Sequence, residues 1–414
     1  MTSAERLRRP VLALGVLVLA GSVAWSLSGR STSAAPVNPP AGGSATGPGG
    51  NFRIGAPPPP VRVAAPPALP TGVVSQVPAA IAHDCSVDVS AALQSWVASV
   101  PDNSTLRLGA NACYRVDETV LVEGRNRLLL DGNGATLKAG SVGDRARSQV
   151  QLKLGSDLTV RNLVVRGANP HAGANPDAYK PALEAQAGFE VQGATNVLLD
   201  HVQATDTYGD FVYIGPGDGK PSRDVTVANS TFARSGRQGI SVTWAVGVSI
   251  EANTISDVAR SVFDLEANTR KAEIRDIRIV GNVTGNAVNF WLADKGYAAS
   301  IGNITITDNR MDVASGGLIF VYAKRGDLRG PYDIERNRFI AGGLINDEGA
   351  TAAFFFAWST NVTIRANDVT FPAGKAMPAV ELRNAHHVVV TGNRFVNAGR
   401  TVVAGQGSTD IRTS

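Results

Sequence analysis

The side chains best suited to catalysis lie in three short segments between residues 206 and 268, DTYGDFVYIG, SGRQGISVTW and VARSVFDLEAN. Together they supply carboxyl, guanidinium, amide and phenol groups: Asp210, Tyr213, Arg237, Gln238, Arg260, Asp264 and Glu266. Asp264 and Glu266 are two residues apart, so on a β-strand they point to the same side with backbones about 6.6 Å apart. Two carboxyl groups separated by roughly 5 to 10 Å can act as general acid and base on a glycosidic bond. The pair predicts a catalytic centre, with Asp210 as a third carboxylate.

Arg237 and Arg260 each lie three residues before the first apolar residue of a predicted strand. In stacked strands they become neighbours, and two like charges then require carboxylates beside them. Those carboxylates belong either to the protein or to an acidic substrate. In the second case the two arginines would neutralise a uronate while a base removes the adjacent proton, as β-elimination requires. The alternative is a surface network of arginines and carboxylates without catalysis.

The elements that position these residues belong to a repeat. A tripeptide of the type hydrophobic-x-hydrophobic, followed shortly by Asn, returns at intervals of 24 to 30 residues through the second half of the chain. The repeat positions are Asn133, Asn162, His201, Asn229, Asn253, Asn282, Asn309, Asn337, Asn367 and Asn393. Short strands and turns with such a period indicate a solenoid. We predict an all-β fold, a single-stranded right-handed parallel β-helix of about ten coils with an Asn ladder along one corner.

A second apolar pair in each coil defines an outward position between its two members. Aligning the pairs gives one column of outward residues: Glu190, Tyr213, Ser241, Asp264, Trp291, Phe320, Phe355 and Glu381. A further column two residues on includes Glu266 and Tyr322. Aromatic faces beside carboxylates and amides suit a sugar polymer. The predicted substrate-binding residues are Glu190, Tyr213, Gln238, Trp291 and Tyr322; alternatively, the aromatic rings only stabilise neighbouring strands.

The interval from Asn162 to His201 is 39 residues, and the excess lies in residues 167–188. Insertions in solenoids form loops on one face, often the binding face. This loop is predicted either to wall a groove or to be a tolerated surface excursion.

The N-terminal sequence predicts export. Three arginines precede the uncharged run 11–29, so residues 1–30 are a signal peptide that is cleaved or a membrane anchor that is retained. Residues 31–78 are rich in Pro, Gly and Ala and are predicted to be a disordered linker, before a single domain at 79–414. We therefore expect a monomer outside the cell or on its surface, with possible anchoring through residues 11–29. The net charge of +4 without a basic stripe argues against a nucleic-acid partner.

The two cysteines, Cys85 and Cys113, are predicted to form a disulfide in an oxidising compartment, the alternative being buried free thiols. Between them, Asp88 precedes an amphipathic helix that ends before Pro101 and is expected to cap the first coil. No equivalent cap follows Val403, so the chain's own tail or a partner closes the other end. The five histidines have no metal-binding spacing, so neither a metal nor a cofactor is expected.

The segments LLLDGNGATLKA, LTVRNLVVRG (158–167) and NVLLDHVQATD (196–206) resemble strands of the pectin-lyase-like superfamily, secreted β-helix proteins, over residues ~84 to 407. The calcium-binding carboxylates of pectate lyases are replaced by Ala185 and Ala187, and the polygalacturonase motifs Asn-Thr-Asp and Gly-His-Gly are missing. The resemblance therefore implies the fold but supplies no active site. We predict a carbohydrate-active protein that binds and cleaves a polysaccharide, as lyase or glycoside hydrolase, or alternatively a non-catalytic polysaccharide-binding or adhesion module.

Overall fold

Short parallel strands wind through the chain in successive coils. The computed structural model describes residues 65–296, 300–314, 316–323, 327–342 and 351–414. Ile240–Val242 pairs in parallel with Val212–Gly215 of the preceding coil and with Phe263–Ala267 of the following one. The same relation recurs along the chain. The predicted parallel β-helix is therefore confirmed.

Each complete coil contributes strands to three faces, which we number in chain order within the coil. The first-face strands are Val212–Gly215, Ile240–Val242, Phe263–Ala267, Phe290–Gly296, Gly317–Tyr322 and Arg400–Ala404. The second-face strands are Val74–Gln76, Ser104–Arg107, Ser222–Ala228, Ala245–Glu251, Glu273–Val280, Ser300–Thr307, Tyr332–Glu335 and Thr409–Thr413. Strands that run from the first face onto the second are Val120–Asp131, Val150–Arg161, Phe189–Asp200, Phe354–Arg365 and Pro378–Thr391.

The third face follows the Asn corner and completes each coil. Its strands are Asp84–Asp88, Cys113–Arg115, Thr136–Lys138, Val164–Arg166, Gln203–Thr207, Thr231–Ser235, Thr254–Val258, Val283–Thr284, Arg310–Met311, Arg338–Ile340, Asp368–Thr370 and Arg394–Val396. The helices in the described ranges are one α-helix, Ser90–Ser99, and two short 3₁₀ helices, Pro176–Ala178 and Pro181–Leu183. No helix among the described residues is both long and apolar enough to span a membrane.

The predicted targeting segment 1–30 and most of the predicted linker lie outside the described residues. The strand Val74–Gln76 lies within the range predicted as linker and pairs with Ser104–Arg107. The first strand of the fold therefore precedes the predicted boundary at residue 79.

Apolar side chains from the three faces fill the interior. On the second face, the inward pairs predicted from the alternation, such as Val248/Ile250 and Ile277/Ile279, are at most 1 % exposed. Each coil buries this surface only by stacking on its neighbours. The stacking brings equivalent residues of successive coils into register.

The first face departs from the sequence prediction at Trp291. Phe263 pairs with Leu292, and Asp264 pairs with Ala293 rather than with Trp291. Trp291 is 0 % exposed and packs in the core against Phe263. The prediction that Trp291 binds substrate is therefore wrong. The two consecutive residues Trp291 and Leu292 are both in the core where the chain enters this face, so the assumed alternation fails there.

The predicted ladder is confirmed from Asn253 to Asn393. Each side-chain amide donates to the oxygen of the next, at 2.9 to 3.0 Å, through Asn253, Asn282, Asn309, Asn337, Asn367 and Asn393. Each oxygen also accepts the backbone N–H of the preceding ladder residue, as Asn309 does from Asn282. These bonds satisfy buried backbone groups at the corner.

Asn162, His201 and Asn229 do not occupy ladder positions, contrary to the prediction. They lie one residue earlier, at a left-handed corner with φ of +51°. The ladder position beside Asn253 is instead Ser230, whose N–H donates to the Asn253 oxygen at 3.0 Å. Because left-handed backbone also favours Asn, sequence spacing alone does not separate the two positions.

The N-terminal end is closed as predicted. The helix Ser90–Ser99 buries Leu93 and Trp96, and its Gln94 side chain exchanges two hydrogen bonds with the backbone of Leu121, of 2.8 and 3.0 Å. Gln94 thus pairs with the edge of the first long strand as a neighbouring strand would. The Cys85–Cys113 disulfide is present.

Two details at the chain ends differ from or extend the prediction. The helix has Val89 at its N-cap without a side-chain bond, and Asp88 accepts the Ser90 N–H from one residue further out. At the C-terminal end, Arg400–Ala404 and Thr409–Thr413 both pair with Pro378–Thr391, so the tail forms the last turn.

Candidate functional site

The predicted carboxylate pair lies on the outer side of the first face. Phe263 and Leu265 point into the core and are 0 % exposed, which turns Asp264 and Glu266 outward on the same strand. Asp264 pairs with Ser241 of the preceding coil. Asp264 is nevertheless only 4 % exposed.

Arg237 connects the carboxylates of three segments. Its Nη1 donates to Asp210 Oδ2 at 3.0 Å, and its Nη2 donates to Glu266 Oε2 at 3.0 Å. Glu184, from the inserted loop, lies 3.6 Å from Nε. Although burial opposes the charged form, the surrounding carboxylates, led by Asp210, Asp264 and Glu266, raise the pKa of Arg237 well above its usual value. Arg237 is therefore a permanent cation at the centre of the cluster.

Gln238 was predicted to bind substrate, and the structure places it against the protein. Its Nε2 donates to Asp264 Oδ2 at 3.0 Å, and its Oε1 accepts the Ser261 N–H at 2.6 Å. Its own N–H donates to Asp210 Oδ1 at 3.1 Å. With both ends of the amide fixed, Gln238 orients the Asp264 carboxyl group.

Burial raises the pKa of Asp264 well above its usual value, and the adjacent Glu266 carboxylate raises it further, against the opposing effect of Arg237. Glu266 is the more accessible of the pair, with 36 % of its side chain exposed. Neighbouring carboxyl groups in such different environments are typical of acid–base pairs in enzymes.

Arg260 lies in the coil next to Arg237, whose carbonyl oxygen accepts the Arg260 N–H at 2.9 Å. Its guanidinium stacks on the Tyr179 ring, 5.0 Å from the centroid. Within the described ranges its side chain forms no ion pair, and its buried Nε has no hydrogen-bond partner. Of the two predicted arginines, only Arg237 is thus neutralised by the protein's own carboxylates.

Glu190 and Tyr213 extend the site along the first face. Glu190 is 9 % exposed and accepts bonds from Ser148, Gln151 and Gln192. Burial raises the pKa of Glu190 despite these bonds.

The phenol oxygen of Tyr213 accepts a bond from Thr243 Oγ1 at 2.8 Å, and burial raises the pKa of Tyr213 to about 12. Its ring lies so close to Gly215 that a Cβ added to that glycine would be 2.5 Å from the ring. Tyr213 therefore lies along the face between the Glu190 and Arg237 coils.

Beyond Asp264 the outer side of the first face is aromatic. Phe290, Phe320 and Phe355 stack with centroids 4.9 and 5.1 Å apart, and Tyr322 stacks on Phe320 at 6.2 Å. Phe320 and Phe355 are at most 1 % exposed. The predicted aromatic surface is thus largely a packed cluster, with Tyr322 and Trp358 half-buried at its edge.

The inserted loop is the part of the site that sequence reasoning did not assign to particular residues. Tyr179 donates to Glu184 Oε2 at 2.6 Å, and these two side chains contact Arg260 and Arg237 respectively. The length of the interval from Asn162 to His201 marked the loop, but gave no sign of which loop residues reach the site.

The arrangement combines a buried carboxyl group with a raised pKa, a more exposed carboxylate two residues away, and fixed polar groups that orient both. This set is suited to proton transfer at a bond lying along the first face. In the described part of the chain, no group of three or more Asp, Glu, His or Cys residues is placed to hold a metal ion.

Comparisons with known proteins support the fold. The family model described as right handed beta helix region matches residues 187–408. A comparison with curated protein sequences gives no match.

Solved structures similar to this one share the architecture at low sequence identity. The Streptococcus pneumoniae surface protein and adhesin PfbA is 14 % identical, with a TM-score of 0.59 over 82 % of this chain and 99 % of that chain. The polygalacturonase from Erwinia carotovora is 13 % identical, with a TM-score of 0.58 over 85 % and 99 %. The Azotobacter vinelandii mannuronan C-5 epimerase AlgE4 A-module is 14 % identical, with a TM-score of 0.52 over 80 % and 97 %.

An adhesin, a hydrolase and an epimerase on one architecture show that the fold by itself assigns no reaction. The family model nevertheless spans more than half of the 414 residues, and the resemblance to the pectin-lyase-like superfamily is confirmed. The chain belongs to the family of right-handed parallel β-helix proteins.

Proposed function

We propose that the protein is a polysaccharide-cleaving enzyme, a glycoside hydrolase, with Asp264 as general acid and Glu266 as general base. One observation carries the proposal: a buried carboxyl group, whose pKa is raised by burial, lies two residues from a more exposed carboxylate on the same outward face. Arg237 and Gln238 hold the two groups in place. A solenoid face also suits an extended polymer better than a small substrate.

In the proposed reaction, Asp264 gives its proton to the glycosidic oxygen as the bond from that oxygen to the anomeric carbon breaks. The bonding electron pair leaves with the oxygen. Glu266 takes a proton from a water molecule whose oxygen attacks the anomeric carbon, so the proton lost by Asp264 is balanced by the one that Glu266 gains. Arg237 stabilises the Glu266 carboxylate before this transfer.

Elimination is the less favoured reaction, because Arg237 already binds Asp210 and Glu266. A lyase needs cations that are free to neutralise a uronate, and Arg260 alone is unpaired among the described residues of the cluster. The similar structures include a polygalacturonase and a mannuronan epimerase, so polymers of acidic sugars belong in the first screen.

The test is a screen of xylan, β-glucan, polygalacturonate and alginate for products. New reducing ends without new ultraviolet absorbance indicate hydrolysis, and absorbance from an unsaturated uronate indicates elimination. Asp264→Asn and Glu266→Gln should each lower turnover by about 10²- to 10⁴-fold.

A matched control exists on the second face. Glu251 pairs with Arg278, and its side chain is 34 % exposed, close to the 36 % of Glu266. Glu251→Gln should leave turnover unchanged. Equal activity in all three variants would rule out the assigned acid and base.

A second candidate is a polysaccharide-binding or adhesion module without catalysis. It is favoured by the burial of Asp210, Gln238 and Asp264, which are at most 4 % exposed and bonded to one another. Binding in the screen without any product would support it. Either function implies a location outside the cell or on its surface, which we infer from polysaccharides being the proposed ligands.

A further inference from the structure

The inserted loop is held firmly at both ends. Asn169 is 1 % exposed, and its amide donates to the carbonyl oxygens of Ala178 and Thr207 at 3.1 and 3.2 Å. Gln186 is 4 % exposed and donates to the carbonyl oxygens of Val142 and Asp144 at 2.8 and 2.6 Å. Buried side-chain amides of this kind anchor a loop to its scaffold.

The tip between these anchors contacts the site through Tyr179 and Glu184, whose side chains are hydrogen-bonded to each other at 2.6 Å. Glu184 lies 3.6 Å from Arg237 Nε, beyond hydrogen-bond distance, and that Nε is buried without a hydrogen-bond partner among the described residues. Tyr179 contacts the site through its ring, beneath Arg260. Glu184 therefore lies beside the Arg237 Nε–H group, which has no hydrogen-bond acceptor among the described residues.

Displacement of Glu184 would leave the other contacts of Arg237 in place. Arg237 Nη1 and Nη2 donate to Asp210 and Glu266, each at 3.0 Å, and neither bond involves Glu184. Movement of Glu184 away from the cluster would leave Arg237 Nε open to an oxygen atom from outside.

We propose that Tyr179 and Glu184 form a gate over the site, and that a polysaccharide enters by displacing Glu184 from Arg237 and placing one of its oxygen atoms on Arg237 Nε. The inference rests on the proposed function for the identity of the ligand. The movement of the gate itself can be measured without any ligand. The gate also supplies the access that Asp264, at 4 % exposure, otherwise lacks.

The first test is hydrogen exchange of the loop amides, with Glu184→Gln compared with Asp177→Asn. Asp177 is an exposed carboxylate in the same loop, so the control removes the same charge away from the site. Exchange across 179–184 should be about threefold faster in Glu184→Gln than in wild type, the size expected for a partly exposed ion pair. Salt at about 1 M should bring wild type to the rate of the variant by screening that pair. Asp177→Asn should match wild type.

The second test is binding of the same four polysaccharides. Glu184→Gln should bind the preferred polymer about threefold more tightly, because the Glu184 carboxylate no longer competes for Arg237 Nε. Tyr179→Phe, which keeps the ring on Arg260 and removes the hydroxyl bonded to Glu184, should also exchange faster than wild type. Loop exchange in Glu184→Gln equal to that in Asp177→Asn, or weaker polymer binding, would overturn the gate.

The two proposals fail separately. Products from a polysaccharide with no change of loop exchange in Glu184→Gln would retain the hydrolase and reject the gate. Faster loop exchange with no product from any polysaccharide would retain the gate and reject the hydrolase.

Discussion

Burying the carboxyl group of Asp264 costs stability, and a role in catalysis would explain why the group is there. Its neighbours in the outward column, Ser241 and Ala293, are small and uncharged, so the stacking of coils does not require a carboxyl group there. Burial disfavours the charged form of Asp264, and the nearby Glu266 carboxylate adds to this effect, so the pKa of Asp264 is raised. A group that costs stability when ionised but can donate a proton suits a general acid.

This reasoning predicts that Asp264→Asn lowers turnover by about 10²- to 10⁴-fold without loss of stability. The raised pKa of Asp264 in the folded state means that its stabilising contribution is present below its unfolded value and is lost as pH rises through the folded value. The neutral Asn avoids that loss and can still accept the bond from Gln238. Thermal unfolding from about pH 4 to pH 8 should show wild type losing more stability than the variant over this range. A variant that is less stable at every pH would mean that Asp264 is structural.

The same Asp264 should set the alkaline limb of the pH–activity profile. Activity requires its protonated form, so turnover should decline as pH rises through its raised pKa. Steady-state rates on the preferred polysaccharide, measured at pH values above the ordinary carboxyl range, would show the decline. A rate with no alkaline decline would remove Asp264 from the role of acid.

Part of this residue-level picture follows from the sequence. Alternation along one strand placed Asp264 and Glu266 together, and equal spacing before the strands placed Arg237 beside Arg260. Trp291 was misplaced because the alternation breaks where the chain enters the face. The role of Glu184 was not predictable, because it depends on the path of an irregular loop.

At the level of elements, the Asn ladder links consecutive coils through buried bonds. Asn309 accepts the N–H of Asn282 and donates to Asn337, so Asn309→Ala would leave the buried Asn282 N–H without its acceptor and remove one of the bonds to the Asn337 oxygen. We expect a loss of about 2 to 4 kcal/mol in the free energy of unfolding. Asn229→Gly is the control, because Asn229 lies at an exposed left-handed corner that glycine adopts freely, and should cost about 0.5 kcal/mol or less. Chemical denaturation of the two variants tests the distinction, and similar losses would contradict it.

One coil has the carboxyl group of Asp294 in the interior of the β-helix, where the two adjacent coils have aliphatic residues. Asp294 pairs in register with Leu265 and Val321, and it is bonded to Arg329 and Tyr332. Burial raises the pKa of Asp294, and Arg329 opposes that rise. The ion pair with Arg329 offsets the cost of burying the Asp294 charge, a cost that the two adjacent coils do not have.

Arg329→Met should therefore destabilise the protein by about 3 to 5 kcal/mol near pH 8, because it leaves Asp294 buried without its cation. Without Arg329 the folded pKa of Asp294 rises further, so the loss should appear as pH increases and be smaller near pH 4. The triple variant Asp294→Leu, Arg329→Met, Tyr332→Phe should recover most of the stability. Denaturant titrations at the two pH values test this, and a pH-independent loss in Arg329→Met would count against it.

The repeat made most of the elements predictable, because each inward pair must match its neighbours in adjacent coils. Corners were less predictable. Asn at a left-handed corner and Asn in the ladder differ by one position, as Asn229 and Asn253 show. Asp294 could not be recognised from the pattern, since its partner Arg329 comes from the next coil.

At the scale of the whole molecule, each coil contacts mainly the coils before and after it. Stability in such a solenoid is approximately a sum over coils and their interfaces, so damage at one end should stay local. The N-terminal helix is the clearest place to test this. Trp96 lies on the buried side of this helix, is 5 % exposed, and donates from its Nε1 to Ser75 Oγ at 3.0 Å.

Trp96→Ala should remove about 3 to 5 kcal/mol of local packing and loosen the cap. Gln94 would then release the edge of Val120–Asp131, and its backbone amides should exchange faster while those of Pro378–Thr391 at the other end remain protected. Ser95→Ala, an exposed change on the same helix, is the control and should leave both strands unchanged. Hydrogen exchange resolved along the chain measures the gradient, and equal loss of protection at both ends would show that the coils unfold as one cooperative unit. An unpaired edge also promotes association, so the Trp96 variant should form larger species in light scattering as its concentration rises.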